Sequence, residues 1–315
     1  METVSQPSFL QKIPVNLFAI ALGLLSLGNG WRGGAPKLGL SPLVGETILT
    51  VALVYWAILS LLYLAKAIRY PSAVWKEVQD GVQCCFVSLI PITTILAGLA
   101  LKPYVPLLAR VFLLLGILGQ VGYATYSSAG LWRGTHTVEA TTPAIYLPTV
   151  ATNLSSAMAL GAWGMPTLGY VFLGAGVLSW FSLEAAILLR LRVGPEMAPG
   201  RRPVLGIQMA PSFVSCSAYL ALNGGTFDPI ALGLIGYGIL NLLFLLRLLP
   251  WIMAQGFSLS LWAFSFGLGS MAGVGLKLAP TSTALGLPGL GQTLASVGSL
   301  GVLLLGVGTV KKVLE

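Results

Sequence analysis

An all-α integral membrane protein, built from helical hairpins around a central pathway, is the fold class this sequence predicts. Three observations predict it. Hydrophobic residues are 56% of the 315 and charged residues 8%, with a mean hydropathy of +0.88, which leaves too few polar side chains to cover a soluble globule of this length. Nine uncharged runs of at least 18 residues lie at 13–31, 47–65, 81–101, 111–132, 140–183, 203–227, 229–246, 248–276 and 278–310. Helix breakers recur through those runs in a regular order.

A spanning helix needs roughly 20 apolar residues to cross a ~30 Å hydrocarbon layer. The 140–183 run is twice that and holds a WGMPTLG turn at 163–169, so it divides in two. Ten transmembrane helices result, at about 14–31, 44–68, 82–101, 105–129, 143–163, 167–191, 204–222, 229–250, 257–277 and 285–310, within a single transmembrane domain over 1–315. The first follows Lys12 as a secretory signal would. No small-x-small cleavage site comes after it, and Trp31-Arg32 closes a full-length span.

Ten spans put both termini on one face. That face and its loops carry twelve Lys and Arg, among them Lys66, Arg133, Arg201 and Arg202; the other carries five: Arg32, Lys37, Lys102, Arg110 and Lys277. The imbalance places the N- and C-termini in the cytoplasm. The net charge of +8 is thus a topology signal, with anionic membrane lipids as partner. The charges are scattered among loops and form no stripe, so no nucleic-acid partner is expected.

The breakers separate odd spans from even ones. Proline lies near the middle of spans three, five and seven, in SLIPITT, IYLPTVA and IQMAPSFV, whereas even spans have it only near their ends. Pro91 to Pro148 is 57 residues, Pro148 to Pro211 is 63, and a further 56 reaches Gly267; 68 before Pro91 is Gly23. The chain reads as five hairpins of about 60 residues, each with a broken odd helix and an unbroken even one. Freed carbonyls are tolerated at membrane depth only in protein or beside water, so five breaks at one depth imply a shared lumen ringed by the odd helices. Leu22, Ile90, Leu147, Ala210 and Phe266 precede the breaks, and only Phe266 is aromatic. Phe264, two positions earlier, falls on the other side of the helix. Ordinary helix packing is the competing reading of Phe266. Gly267 is expected to leave room beside the Phe266 ring.

Short of their ends, the odd spans carry no Asp, Glu, Lys, Arg or His, so neither a proton relay nor a carboxylate cation path is available there. Neutral polar groups such as Thr93, Thr94, Thr152, Asn153, Ser212 and Ser265 remain, for packing or for a passing ion. The single histidine, His136, is a loop residue, which excludes a histidine metal site or a Ser-His-Asp arrangement within the membrane. No cofactor, metal or enzymatic activity is expected. Cys84, Cys85 and Cys216 read as small packing residues. Glu184 and Arg247, on even helices, form a candidate ion pair, with Arg190 and Arg192 as alternative partners of Glu184.

Seven stretches in order, SLIPITT, GLWRGTHTVEATTP, YLPTVATN, VFLGAGVLSWFSLE, LGIQMAPSFVSCSAYLALNGG, LLFLLRLLPW and WAFSFGLGSMA, resemble the bacterial TehA tellurite-resistance proteins, relatives of the plant guard-cell slow anion channels. The match runs from about residue 14 to 275. The resemblance implies five hairpins in quasi-fivefold array around a central pore, a homotrimer with one pore per subunit, and a bacterial inner-membrane location. It also implies a pore plugged by a phenylalanine of the ninth helix, Phe266 here. Plant relatives have proline after that phenylalanine; this chain has Gly267. The expected function is a passive, weakly selective channel for small monovalent anions such as chloride or nitrate. A secondary transporter of tellurite or C4-dicarboxylates is the alternative.

Overall fold

The computed structural model describes residues 8–134 and 137–314, and within these every regular element is a helix. His136 lies outside the described residues. The helices are α1 (Phe18–Gly34), α2 (Leu43–Arg69), α3 (Pro71–Gln79), α4 (Gln83–Val87), α5 (Leu89–Leu101), α6 (Pro106–Leu131), α7 (Thr152–Ala162), α8 (Pro166–Val193), α9 (Ala210–Leu222), α10 (Pro229–Ile252), α11 (Ser265–Leu278) and α12 (Leu290–Leu314). Eight helical segments among the described residues are long and apolar enough to cross a membrane. The first and fifth expected spans are not among them. The first contains α1, of 17 residues. The fifth is divided into a 3-10 turn Pro143–Ile145, a π-helical turn Leu147–Ala151 and the 11-residue α7.

Burial sorts the segments into two layers. In α2, α6, α8, α10 and α12 only 17–28% of the apolar window is buried, against 67–89% in Gln83–Leu101, Pro199–Leu222 and Leu259–Leu278. The outer helices turn Leu61, Leu118, Phe181, Phe244 and Leu303 outward, the side-chain choice of a lipid-facing surface. Each inner helix packs on the outer helix that follows it: α1 on α2, α5 on α6, α7 on α8, α9 on α10, α11 on α12. The inner helices also touch one another in a cycle, α1 to α5 to α7 to α9 to α11 and back to α1.

Proline and glycine set the ends. Pro71, Pro106, Pro166 and Pro229 each open a helix, where the missing N–H is one the helix leaves unpaired anyway. At the WGMPTLG turn, Gly164 takes φ +72° and the Met165 N–H reaches back to the Leu160 carbonyl, closing α7 before Pro166 starts α8.

The α1–α11 seam is the most extensive contact of the cycle. A Cβ on Gly30 would lie 2.8 Å from the Gly273 Cα, and one on Gly23 would lie 2.3 Å from the Ser265 Cβ. Gly23 is therefore a contact point in an unbroken α1, not a helix break. Glycine keeps its N–H, so unlike proline it leaves the ladder whole.

Candidate functional site

Four of the five inner segments are interrupted or change helix type part-way along. Short helix α4 ends at Ser88 before α5; the π-helical turn precedes α7; 3-10 segments Pro199–Met209 and Leu259–Phe264 precede α9 and α11. Pro91 and Pro211 sit in the first turn of α5 and α9, where their missing N–H groups remove no bond within the α-helix.

At this level the inner segments enclose a cavity of about 30 Å³. Ala19 and Leu22 face it from α1, Phe86 and Leu89 from α4 and α5, and Tyr146, Leu147 and Val150 from the fifth segment. Ala210 and Pro211 line it from α9, and Trp262 and Phe266 from the ninth segment. Leu22, Leu147, Ala210, Pro211 and Phe266, all expected from the breaker spacing, thus meet at one cavity. Gly23, Ile90, Pro91, Pro148 and Gly267 do not line it. Leu89 takes the place expected of Ile90, and Pro91 turns outward to Gly116 and Gly119 of α6.

The lining is hydrocarbon, and its two polar groups are committed elsewhere. The Tyr146 hydroxyl donates to Glu184, and the Trp262 indole N–H donates to Thr309 Oγ1 at 2.8 Å. Six neutral polar groups of the inner segments are also spent on backbone. Thr93 donates to the Leu89 carbonyl, Thr94 to Ile90, Thr152 to Pro148, Asn153 to Thr149, Ser212 to Met209 and Ser265 to Ala19. An ion at this level would lose hydration with no replacement ligand.

Phe266 is 4% exposed and projects into this cavity. Phe264 packs elsewhere: a Cβ on Gly206 would fall 2.2 Å from its ring. The space expected beside Phe266 at Gly267 is filled, because a Cβ there would meet Met209 Cγ at 2.6 Å and the Ala210 nitrogen at 3.2 Å. Gly267 lets α11 approach α9; it leaves no room for the ring to swing on that side.

The expected Glu184–Arg247 ion pair is absent. Arg247 is exposed on α10, while the Glu184 carboxylate accepts from the Tyr146 hydroxyl, from Trp180 Nε1 at 2.8 Å, from Gln208 Nε2 at 2.8 Å and from the Tyr237 hydroxyl at 2.8 Å. Four neutral donors replace a cation, and they join the fifth and seventh inner segments to α8 and α10. Their effect is to fix the Tyr146 ring against the cavity. Sequence reasoning missed this hub because its donors come from four separate stretches.

Wider cavities lie on both sides. One of about 160 Å³ shares Ala19, Phe86 and Ala263 with the central one and is lined by Asn16, Asp80, Gln83 and Arg201. The other, of about 270 Å³, begins a turn beyond Phe266 at Gly269 and Ser270 and extends to Lys277. Lys277, at the end of the ninth expected span, lies in the last turn of α11 and lines that vestibule, so the inner layer is charged at this mouth.

Cys84, Cys85 and Cys216 are buried free thiols, and no group of three or more metal-ligating side chains occurs among the described residues.

Residues 12–310 match the family described as SLAC1, voltage-dependent anion channel. A Haemophilus influenzae protein named tellurite resistance protein TehA homolog is 41% identical over 261 residues, covering 82% of this chain and 79% of that protein. A membrane-embedded helical chain matched over nearly its whole length in this way belongs to the SLAC1 family of voltage-dependent anion channels, and passage of small anions across a membrane comes with that membership.

Proposed function

We propose that the protein is a passive, weakly selective channel for small monovalent anions such as chloride and nitrate, closed by Phe266. Ten spans form five hairpins in quasi-fivefold array; the chain assembles as a homotrimer in a bacterial inner membrane, with both termini cytoplasmic. No catalytic step and no cofactor enter this reading. The observation that carries it is the apolar cavity of about 30 Å³, bordered by an aromatic ring and flanked on either side by a wider cavity with charged side chains on its wall. The cycle of contacts among the inner helices supports the quasi-fivefold array.

The barrier is one of hydration. A volume of about 30 Å³ admits roughly two waters, and hydrocarbon walls give them no partners. Removing the ring would join the flanking cavities. The test is current recording in planar bilayers under a chloride or nitrate gradient. Phe266→Ala is expected to pass a current reversing at the anion's equilibrium potential, severalfold above the parent; no current above the parent at equal incorporation overturns the reading.

The name of the Haemophilus relative favours a second reading, export of tellurite by a carrier. Saturable tellurite flux without anion current would decide for it.

A further inference from the structure

We propose that the vestibule on the Lys277 side is an anion-loading site, holding one small, singly charged inorganic anion between the Lys277 ammonium and the Ser217 hydroxyl. The proposal rests on the channel reading for its purpose, but binding can be measured without it.

The vestibule measures about 270 Å³ and is lined from all five inner segments. At ~15 Å³ per water on the same measure, it accommodates an anion with part of its hydration shell. Three cations line it, Arg32, Lys102 and Lys277, and no carboxylate does. Two of the three are committed. Arg32 makes a two-pronged pair with Glu46, both bonds 2.6 Å, and donates to the Ala100 carbonyl. Lys102 donates to the Ala162 carbonyl and lies 5.1 Å from the Trp163 ring centre.

The neutral polar groups are mostly committed too. Asn29 donates to the Leu25 and Leu96 carbonyls, and Ser26 and Ser270 bond to each other at 3.1 Å. Among the described residues, Lys277 and Ser217 alone on this wall are polar side chains that make no hydrogen bond or ion pair within the protein. They come from different helices, α11 and α9. Gly33 leaves room beside the lysine, since a Cβ there would touch Lys277 Cε at 3.8 Å.

An uncompensated ammonium in a concave site with apolar walls focuses its field into the opening. Its charge-assisted hydrogen bond replaces part of the shell an anion sheds there. Lys277 is 11 residues, about 16 Å along the helix, from Phe266, so the anion is held short of the barrier and the site sets anion occupancy at that mouth.

Chloride is the probe, with ³⁵Cl NMR line broadening on the full-length protein in mild detergent as the readout. Saturable broadening, displaced by nitrate, is expected from the parent. It should vanish in Lys277→Met, return in Lys277→Arg and persist in Lys76→Met, which removes an exposed lysine at the other end of the molecule. Ser217→Ala removes no charge and should weaken binding severalfold, which keeps the test decisive if Lys277→Met does not fold. In a Phe266→Ala background, Lys277→Met should cut conductance severalfold at low bath chloride, and the difference should fade as salt rises. Equal broadening from the parent, Lys277→Met and Ser217→Ala overturns the site. Silence of Phe266→Ala in bilayers overturns the channel and leaves the site to the NMR result.

Discussion

At the scale of single residues, two phenylalanines of one hairpin do different work. Phe266 lines the central cavity, whereas Phe264 packs over Gly206 away from it. Phe264→Ala is therefore expected to lower stability by about 3 kcal/mol, as large-to-small core changes do, with no gain in anion current. Thermal unfolding in detergent alongside bilayer recording separates the two variants, and a larger current from Phe264→Ala than from Phe266→Ala would reverse the assignment. Glu184 is the second residue at issue. Removing its carboxylate strands four buried or half-buried donors, each loss being worth roughly 1–3 kcal/mol. Glu184→Ala should accordingly cost at least about 3 kcal/mol and free the Tyr146 ring, while Arg247→Ala, at an exposed position, should change stability little.

At the scale of elements, the α1–α11 seam depends on facing glycines. Gly273→Ala would put a methyl 3.0 Å from the Gly30 Cα, a backbone contact that cannot move aside cheaply, and overpacking of this kind costs about 1–3 kcal/mol. A lowered thermal midpoint is expected, whereas Gly233→Ala, with open space around it on α10, should leave the midpoint unchanged. The start of α10 carries a pH-dependent contribution. Asp228 caps it by accepting from the Ile230 and Ala231 N–H groups, and Tyr219 donates to the other oxygen. These contacts, the Tyr219 hydroxyl first, hold its carboxyl below the usual range. A depressed folded value stabilises above the unfolded pKa of about 3.9 and is lost as pH falls through the folded value. The midpoint deficit of Asp228→Ala should thus be full at pH 7 and shrink below about pH 4. The sequence made three of the interruptions legible, at Pro91, Pro148 and Pro211, because proline marks where a helix can change type. It did not make the angle around each axis legible, so Leu89 stands where Ile90 was expected and Gly267 serves packing. Charge pattern misled at Glu184, since neutral donors brought together only by tertiary structure satisfied it.

At the scale of the whole molecule, two expectations rest on charge and family. In a variant lacking the native cysteines, a cysteine at position 37 should react with an impermeant reagent from outside intact cells and one at position 201 should not; the reverse pattern would invert the topology. Native mass spectrometry in mild detergent should show a trimer, and a dominant monomer or dimer would remove that part of the reading. The seam described above also bears on how the protein is made. The ribosome delivers α1 early and α11 near the end, yet these two helices pack on each other, with Ser265 donating to the Ala19 carbonyl across 246 residues. Until α11 emerges, the glycine face of α1 lacks its partner and the enclosure has a missing wall. The same late helix carries Phe266. Wall and proposed stopper therefore arrive together during synthesis, and a nascent chain that stalls before that point has no enclosed pathway through which the cell could leak.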